Sequence, residues 1–482
     1  GGAAVKISDI MTANVISIVI SSTLQIVARS LEKINRRRLY RRGSITYNLT
    51  IRTYSRRRII MDKQAVLTPE QQLFEERIQR VETAIALKEP DRVPVVPFIA
   101  SSAQRAYGPC YADIYYDYEK AGDAAVQFYR DHPQMDVSMF SGFTSGRANE
   151  LAGSQMIDWP GRPGTMVSPY SSHQVIEREF MTPEEYPEML GDFTGFMLRK
   201  YIPRAYKNLT GTAGLRFDPA IVLNTGLVGS LYSPQAQETF QLLGQIGEED
   251  AKAAKMTSLY QGKIAAMGFP PMMTGRCEAP YDILGDYFRG TMGIFEDLLD
   301  EETQEYVEQA CWMFADQQIQ ALQYFRTAKL PVRRVFFPLH KAMDGFMSPA
   351  QFERFYWKPL KKIMMALIDM DVTPYIYTEG PYNTRLEQLA DVPRGKVLYH
   401  FETVDMKEAK RILGDTACIC GNLSVTELEF GKKETVVEET KRLLDICAPG
   451  GGYLFDFNGS LENCKPENLD AMFETLEKYG KY

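Results

Sequence analysis

Eight short apolar runs, separated by segments with helix punctuation, constrain this chain more than any other feature. They are RVPVVPF (92–98), MDVSMF (135–140), PPMMTG (270–275), RRVFFPL (333–339), VTPYIYT (372–378), KVLYHF (396–401), TACICG (416–421) and GGYLFDF (451–457). Continuous apolar runs of this length are what parallel strands covered on both faces require, whereas a strand with one wet face would alternate. The stretches between them carry helix signals. Ser348-Pro349-Ala350-Gln351 reads as a capping box with proline at the first helical position, followed by Phe352, Phe355 and Tyr356 on one face. Asp405 with Glu408 opens another helix that Gly414 ends, and Ser424 with Glu427 opens a third. From Pro466, the residues Leu469, Met472, Phe473 and Leu476 fall at the i, i+3, i+4, i+7 spacing of a buried stripe. Eight strands with helical returns make an α/β fold of the (β/α)8 or TIM-barrel type the leading architecture. A doubly wound open sheet is the alternative, but no Gly-x-Gly-x-x-Gly turn follows the first run.

The 482 residues, 45% of them hydrophobic, suffice for one large barrel. Residues 1–60 hold twelve Lys/Arg against two acids, while the rest of the chain holds 43 against 60. The basic stretch reads as an extension outside the fold, with a targeting segment as the alternative. Its apolar run VISIVI is too short to span a bilayer, and MDKQAVLTPEQQ from Met61 reads as an ordinary protein start. The fold is therefore expected over 61–482, with an excursion of hairpin and helices at about 142–215, where WPGRPG and MTPEEYPEML break the rhythm. That excursion is expected to cover the barrel mouth or make an oligomer contact. An acidic body speaks against nucleic acid as a partner, because phosphate binding needs a basic surface. No membrane association is expected. Seven cysteines without repeated spacing read as reduced thiols of a cytoplasmic protein, and Cys418-x-Cys420 as two small core side chains.

In a (β/α)8 enzyme the active site is assembled where strands end, so the residues just past each run are the candidates. These are Arg276, His340, Glu379, His400, Glu402, Asn422, Asp456 and Asn458. Acids and histidines at neighbouring strand ends suit catalysis or metal binding. His400, inside LYHFE, also reads as a hydrogen-bonded core histidine. Glu379 stands out, because a carboxylate at the end of YIYTEG, flanked by Tyr377 and Tyr382, is costly unless paired, protonated or ligating.

The segments TVDMKEAKRILGD (403–415), GNLSVTEL (421–428) and GGYLFDFNGSLENCKPENLDAM (451–472) resemble the closing third of the uroporphyrinogen decarboxylase superfamily. FMSPAQFERFYWKPLKKI (346–363) and EAPYDILGDYFRG (278–290) resemble it too. The resemblance implies a TIM barrel of the uroporphyrinogen decarboxylase type, with its pocket at the strand C-termini. The true decarboxylases carry an Arg-rich loop after the first strand, an essential Asp after the second and a late His. Here these positions read FIASSAQRAYGP with the single Arg105, Gly142 and Asn458. The chain therefore resembles the corrinoid-dependent methyltransferase branch more closely. That branch binds zinc with a His-x-Cys pair and a late Cys, positions that align with Tyr377, Glu379 and Asn458, so the standard zinc set is absent and zinc would need Glu379 in a modified site. The resemblance implies a methyltransferase moving a methyl group from a small methyl ether or methylamine to the cobalt of a corrinoid protein. Glu379, Tyr377, His340 and Asn458 would then be catalytic. Arg276, His400, Glu402, Asn422 and Asp456 would bind substrate, and a homodimer is thinkable. The alternative is a decarboxylase-like lyase acting on a carboxylated substrate, which should offer several arginines at its pocket.

Overall fold

Six of the eight apolar runs pair side by side, all parallel and in chain order, as Gly275–Arg276, Arg334–Leu339, Thr373–Thr378, Leu398–Phe401, Cys418–Cys420 and Tyr453–Leu454. The computed structural model in which they do so describes residues 67–99, 102–216 and 225–482, so the basic extension 1–60 and the start at Met61 lie outside the described residues. The first two runs close the ring. Val96 N donates to Phe455 O at 2.9 Å and Phe455 N to Pro94 O at 2.8 Å, which joins the first run to the eighth. Asp136 N donates to Val95 O at 2.8 Å, and Ser138 N to Pro270 O at 2.7 Å, which joins the second run to the first and third. These two edges form isolated bridges rather than regular strands. Pro94, Pro97, Pro270 and Pro271 cannot donate to a ladder, so pairing there is intermittent. The result is an eight-membered parallel barrel, as the spacing of the runs predicts.

Alternation along each strand separates lumen from outer wall, as a closed barrel demands. Val96, Val137, Met139, Met272, Phe336, Tyr375, Tyr377, Leu398, Cys418, Cys420 and Leu454 pack with one another in the lumen. Their chain neighbours Val335, Phe337, Ile376, Tyr399, Phe401, Ile419, Tyr453 and Phe455 pack outward against the helices. Stepping by two from the lumen residues reaches Arg276, His340, Glu379, Glu402, Asn422, Asp456 and Asn458, so the candidates at the strand ends share the lumen face.

One end of the barrel is plugged. Helix Pro69–Ile85 and the turn after it send Val81, Ala84, Ile85 and Leu87 into the lumen cluster. Arg334, fully buried beneath them, donates to Met272 O at 2.7 Å and pairs with Glu82 of that helix. The C-terminal ends of the strands therefore form the open mouth. The expected capping box at Ser348 and Gln351 and the N-cap at Asp405 both form.

The excursion leaves after the second run as helix Gly146–Ala152, the hairpin Ile157–Asp158 with Gln174–Val175, and short helical segments to Gly214. It docks on the π-helical segment Leu284–Arg289: the amides of Phe180 and Met181 both donate to Phe288 O, at 2.8 and 2.9 Å. Buried Arg289 fixes this contact by pairing with Asp297 at 2.7 Å and reaching Glu179. Among the described residues, no helix is long and apolar enough to cross a membrane.

At the plugged end, Asp136 is fully buried and accepts from Arg80 Nη1 at 2.7 Å, Arg92 Nη1 at 2.7 Å and Val95 N at 2.8 Å. It ties the first helix and the first two runs together. Removing a carboxylate that neutralises two guanidinium groups should cost about 3 kcal/mol or more. Asp136→Ala is expected to lower the urea midpoint, at an unchanged m-value, by that free energy divided by m; a stability loss under about 0.5 kcal/mol would show that the network is dispensable.

Candidate active site at the barrel mouth

The mouth is organised by the loop after the fourth strand. The backbone N–H groups of His340 and Lys341 donate to the two oxygens of Asp282, at 2.9 and 3.0 Å, and Tyr356 OH donates to the same carboxylate at 2.6 Å. Asp282 is completely buried, and burial raises its pKa to about 7 against the opposing charge of His340. One helical turn later, on the π-helical segment, Asp286 accepts from His340 Nδ1 at 2.6 Å and from Lys341 Nζ at 2.8 Å. π-Helical segments recur at functional sites. On the far side of the ring, His340 Nε2 faces Glu379 Oε1 at 3.5 Å. His340 thus lies between two carboxylates. Burial opposes its charge, but the bond to Asp286 and the pull of Glu379 win and raise it to about 11. Asp286 is correspondingly held below the usual carboxylate range despite its burial.

Glu379 itself is 45% exposed at its side chain. The strand beneath it is buried, yet the carboxylate opens to the mouth and to His340, which removes the burial cost inferred from its aromatic neighbours. Glu402 on the next strand accepts from Gly380 N and so fixes the turn that carries Glu379. Its pKa is raised by burial, with the Glu379 charge adding to the effect. Gly380 sits at φ +86°, a conformation that favours glycine and lets the chain turn sharply just after Glu379. Tyr377 lies one layer deeper, buried, with its ring 5.9 Å from Phe98 and 4.7 Å from His400.

The other expected residues divide into rim and interior. Arg276 is exposed and pairs with Glu278 at 3.0 Å. Asn422 uses its amide to hold Glu402 O and Val404 O, at 3.2 and 3.0 Å. Asn458 accepts from Val425 N at 2.9 Å, bracing the start of helix Val425–Phe430. His400 and Asp456 do not line the mouth: both are 0% exposed. His400 is engaged at both ring nitrogens, with Tyr375 OH at 3.1 Å and Phe457 O at 2.7 Å, and burial lowers its pKa to about 4. Asp456 Oδ1 accepts from Phe98 N and Phe457 N, at 2.7 and 2.6 Å. The expectation that these two bind substrate directly is corrected by their position below the mouth.

Asp282, Asp286, Lys341 and Glu278 are absent from the strand-end harvest. A signal for two of them was present, since Asp282 and Asp286 in EAPYDILGDYFRG have the i, i+4 spacing that aligns side chains on a helix. The mouth therefore gathers five carboxylates, Glu278, Asp282, Asp286, Glu379 and Glu402, with three cations, Arg276, His340 and Lys341. Such a site can hold and move a proton along Asp286, His340 and Glu379. It matches a neutral or cationic small molecule better than a polycarboxylate.

Residues 270–479 match the uroporphyrinogen decarboxylase (URO-D) family. This part of the chain is similar to that family. Uroporphyrinogen decarboxylases from Dechloromonas aromatica and Aromatoleum aromaticum are 29% and 28% identical to it over 142 residues, 28% of this chain and 39% of each relative. The chain thus spans about two-fifths of the length of the curated relatives it matches. A solved methyltransferase from Methanosarcina mazei superposes with a TM-score of 0.48 at 15% identity, covering 84% of this chain and 98% of that one.

The positions that align with zinc ligands in the methyltransferase branch fit that metal poorly. Tyr377 is a buried phenol, and the Asn458 carbonyl oxygen is committed to Val425 N. Glu379 then has His340 beside it but no thiolate at the aligned positions.

The pairing of His340 has a measurable consequence. Its pKa rises from 6.5 to about 11 on folding, so its stabilisation is complete below about 6.5 and is lost as pH rises through about 11. In histidine-labelled protein, the His340 imidazole is expected to stay protonated at pH 8 by NMR. In Asp286→Asn its titration should move down toward neutral pH. Titration of wild-type His340 below pH 8 would contradict the pairing.

Proposed function

We propose that this protein is a methyltransferase that takes a methyl group from a small methylated donor, of methyl ether or methylamine type, and passes it to the cobalt of a corrinoid protein docked at the barrel mouth. The observation that carries this reading is the His340 ring held between Asp286 and Glu379 at the open end of the barrel. An alkoxide leaves poorly, so cleavage of a methyl ether needs a proton at the departing oxygen. In the reaction, the Co(I) electron pair of the acceptor substrate forms the new bond to the methyl carbon. The carbon–oxygen bond breaks, its electron pair stays on oxygen, and that oxygen takes a proton from the His340–Glu379 pair. Asp286 then stabilises the imidazolium when the pair is reprotonated from solvent. Tyr377 forms the floor beneath the donor, and Glu402 holds the turn that aims Glu379. Asn458 braces the rim, and the excursion at 142–215 stands beside the mouth as a surface for the corrinoid protein.

The alternative is a lyase acting on a carboxylated substrate, which the uroporphyrinogen decarboxylase relatives favour. The acid-rich mouth counts against it, because Arg276 is already paired with Glu278 and Arg289 is buried against Asp297.

The test is spectroscopic. The protein is mixed anaerobically with Co(I) corrinoid, free or protein-bound, and pooled methoxyaromatic and methylamine donors, and methyl-Co(III) formation is followed. Enzyme-dependent conversion is expected, and Glu379→Gln should slow it by about 100-fold or more, the usual contribution of a positioned acid, while its thermal unfolding stays close to wild type. Near wild-type turnover in that variant would remove Glu379 from the mechanism. No conversion over a broad pool, with carbon dioxide released from a carboxylated compound, would establish the lyase.

A further inference from the structure

We propose that His400, Cys420 and Asp456 form a binding site for one divalent cation of the zinc class inside the barrel, with Nδ1, Sγ and Oδ2 as its donors. This site is separate from the mouth and does not depend on the methyl-transfer reading. The residues lie on three adjacent strands: His400 pairs in register with Cys420, and Cys420 with Leu454, two residues before Asp456. All three are fully buried, and their donor atoms lie within 4.8 Å of one another. Nδ1 is 3.6 Å and Sγ 4.0 Å from Oδ2. Tetrahedral zinc, with bonds of about 2.0–2.3 Å, spaces its donors by roughly 3.3–3.8 Å. The spacings to Oδ2 are near that range, and the remaining one, within 4.8 Å, closes on binding.

Two further observations point to a ligand. His400 Nε2 is 2.7 Å from Phe457 O, which can only accept, so Nε2 carries the hydrogen and Nδ1 presents a lone pair. Hydrogen bonds of this kind orient metal-binding imidazoles. Asp456 spends Oδ1 on two backbone N–H groups, and Oδ2 is left facing Cys420 and His400. Among the described residues, the donor nearest to a hydrogen bond with that buried oxygen is the Cys420 thiol at 4.0 Å, a long contact. The Tyr375 hydroxyl, 3.1 Å from Nδ1, holds the lone pair in the metal-free chain and is a fourth oxygen beside the cluster. A neutral imidazole, a thiolate and a carboxylate around a dication sum to zero charge, which a fully buried site tolerates. One nitrogen, one sulfur and one oxygen suit zinc rather than calcium or magnesium.

The opposing account is a hydrogen-bonded core network that never meets a metal. The wild-type chain, depleted with a chelator, is titrated anaerobically with Co(II). Binding of one equivalent is expected, with a near-ultraviolet thiolate-to-cobalt band and visible bands of tetrahedral cobalt. Losing even a group that orients a ligand weakens metal sites by about 10–100-fold, so Cys420→Ser should abolish the near-ultraviolet band and weaken binding by about 100-fold. Cys464→Ser should change neither. Circular dichroism checks that the variants fold. X-ray absorption at the zinc edge of the zinc-loaded wild-type chain, which needs no variant, should show one sulfur among nitrogen and oxygen neighbours. Failure of the wild-type chain to retain cobalt, a band that survives Cys420→Ser, or a shell without sulfur would each overturn the site.

Discussion

Closure of the parallel ring is the constraint on which the other features depend. Once Phe455 accepts a hydrogen bond from Val96 N and donates one to Pro94 O across the seam, every strand residue faces either the lumen or the helices. A lumen side chain then has three acceptable states: apolar and packed, polar and satisfied, or carried up to the open end. Val96, Phe336 and Leu398 take the first. Arg334 takes the second at the plugged end through Met272 O and Glu82, and His400 takes it in the middle through Tyr375 OH and Phe457 O. Glu379, Glu402 and His340 take the third.

The mouth carries more charge than a packed layer would tolerate, and pairing is what makes it stable there. Asp286 stands between His340 and Lys341, and Asp282 fixes the loop carrying both through their backbone N–H groups. The excursion reaches the same place from outside: Glu177 lies 3.4 Å from Lys341 Nζ, and Arg289 joins Glu179 to Asp297. The segment inserted after the second run therefore supports the π-helical segment that presents Asp286, linking the irregular part of the fold to its chemistry.

Much of this was legible in the sequence because period and position survive folding. All eight apolar runs take their places in the ring, and His340 and Glu379 meet because both stand one step past the lumen end of adjacent strands. What failed to show has identifiable causes. His400 and Asp456 share the lumen face with the mouth residues, and sequence gives no depth scale that separates one layer from the next. Asp286 lies on a helix rather than at a strand end, so a harvest restricted to strand ends passes over it. The exposure of Glu379 was hidden by Tyr377 and Tyr382, whose rings turn inward while the carboxylate turns out.

The family similarity leaves open which small molecule the mouth receives, and the charge of the site is the physical discriminator. Five carboxylates around one imidazolium, one lysine and one arginine favour donors without negative charge. Isothermal titration calorimetry, comparing neutral or cationic methylated compounds with polycarboxylates of similar size on wild type and Glu379→Gln, tests that claim most directly. The account predicts that a methylated compound binds wild type and weakens in the variant while the polycarboxylates give no heat. Tight polycarboxylate binding that survives Glu379→Gln would contradict it.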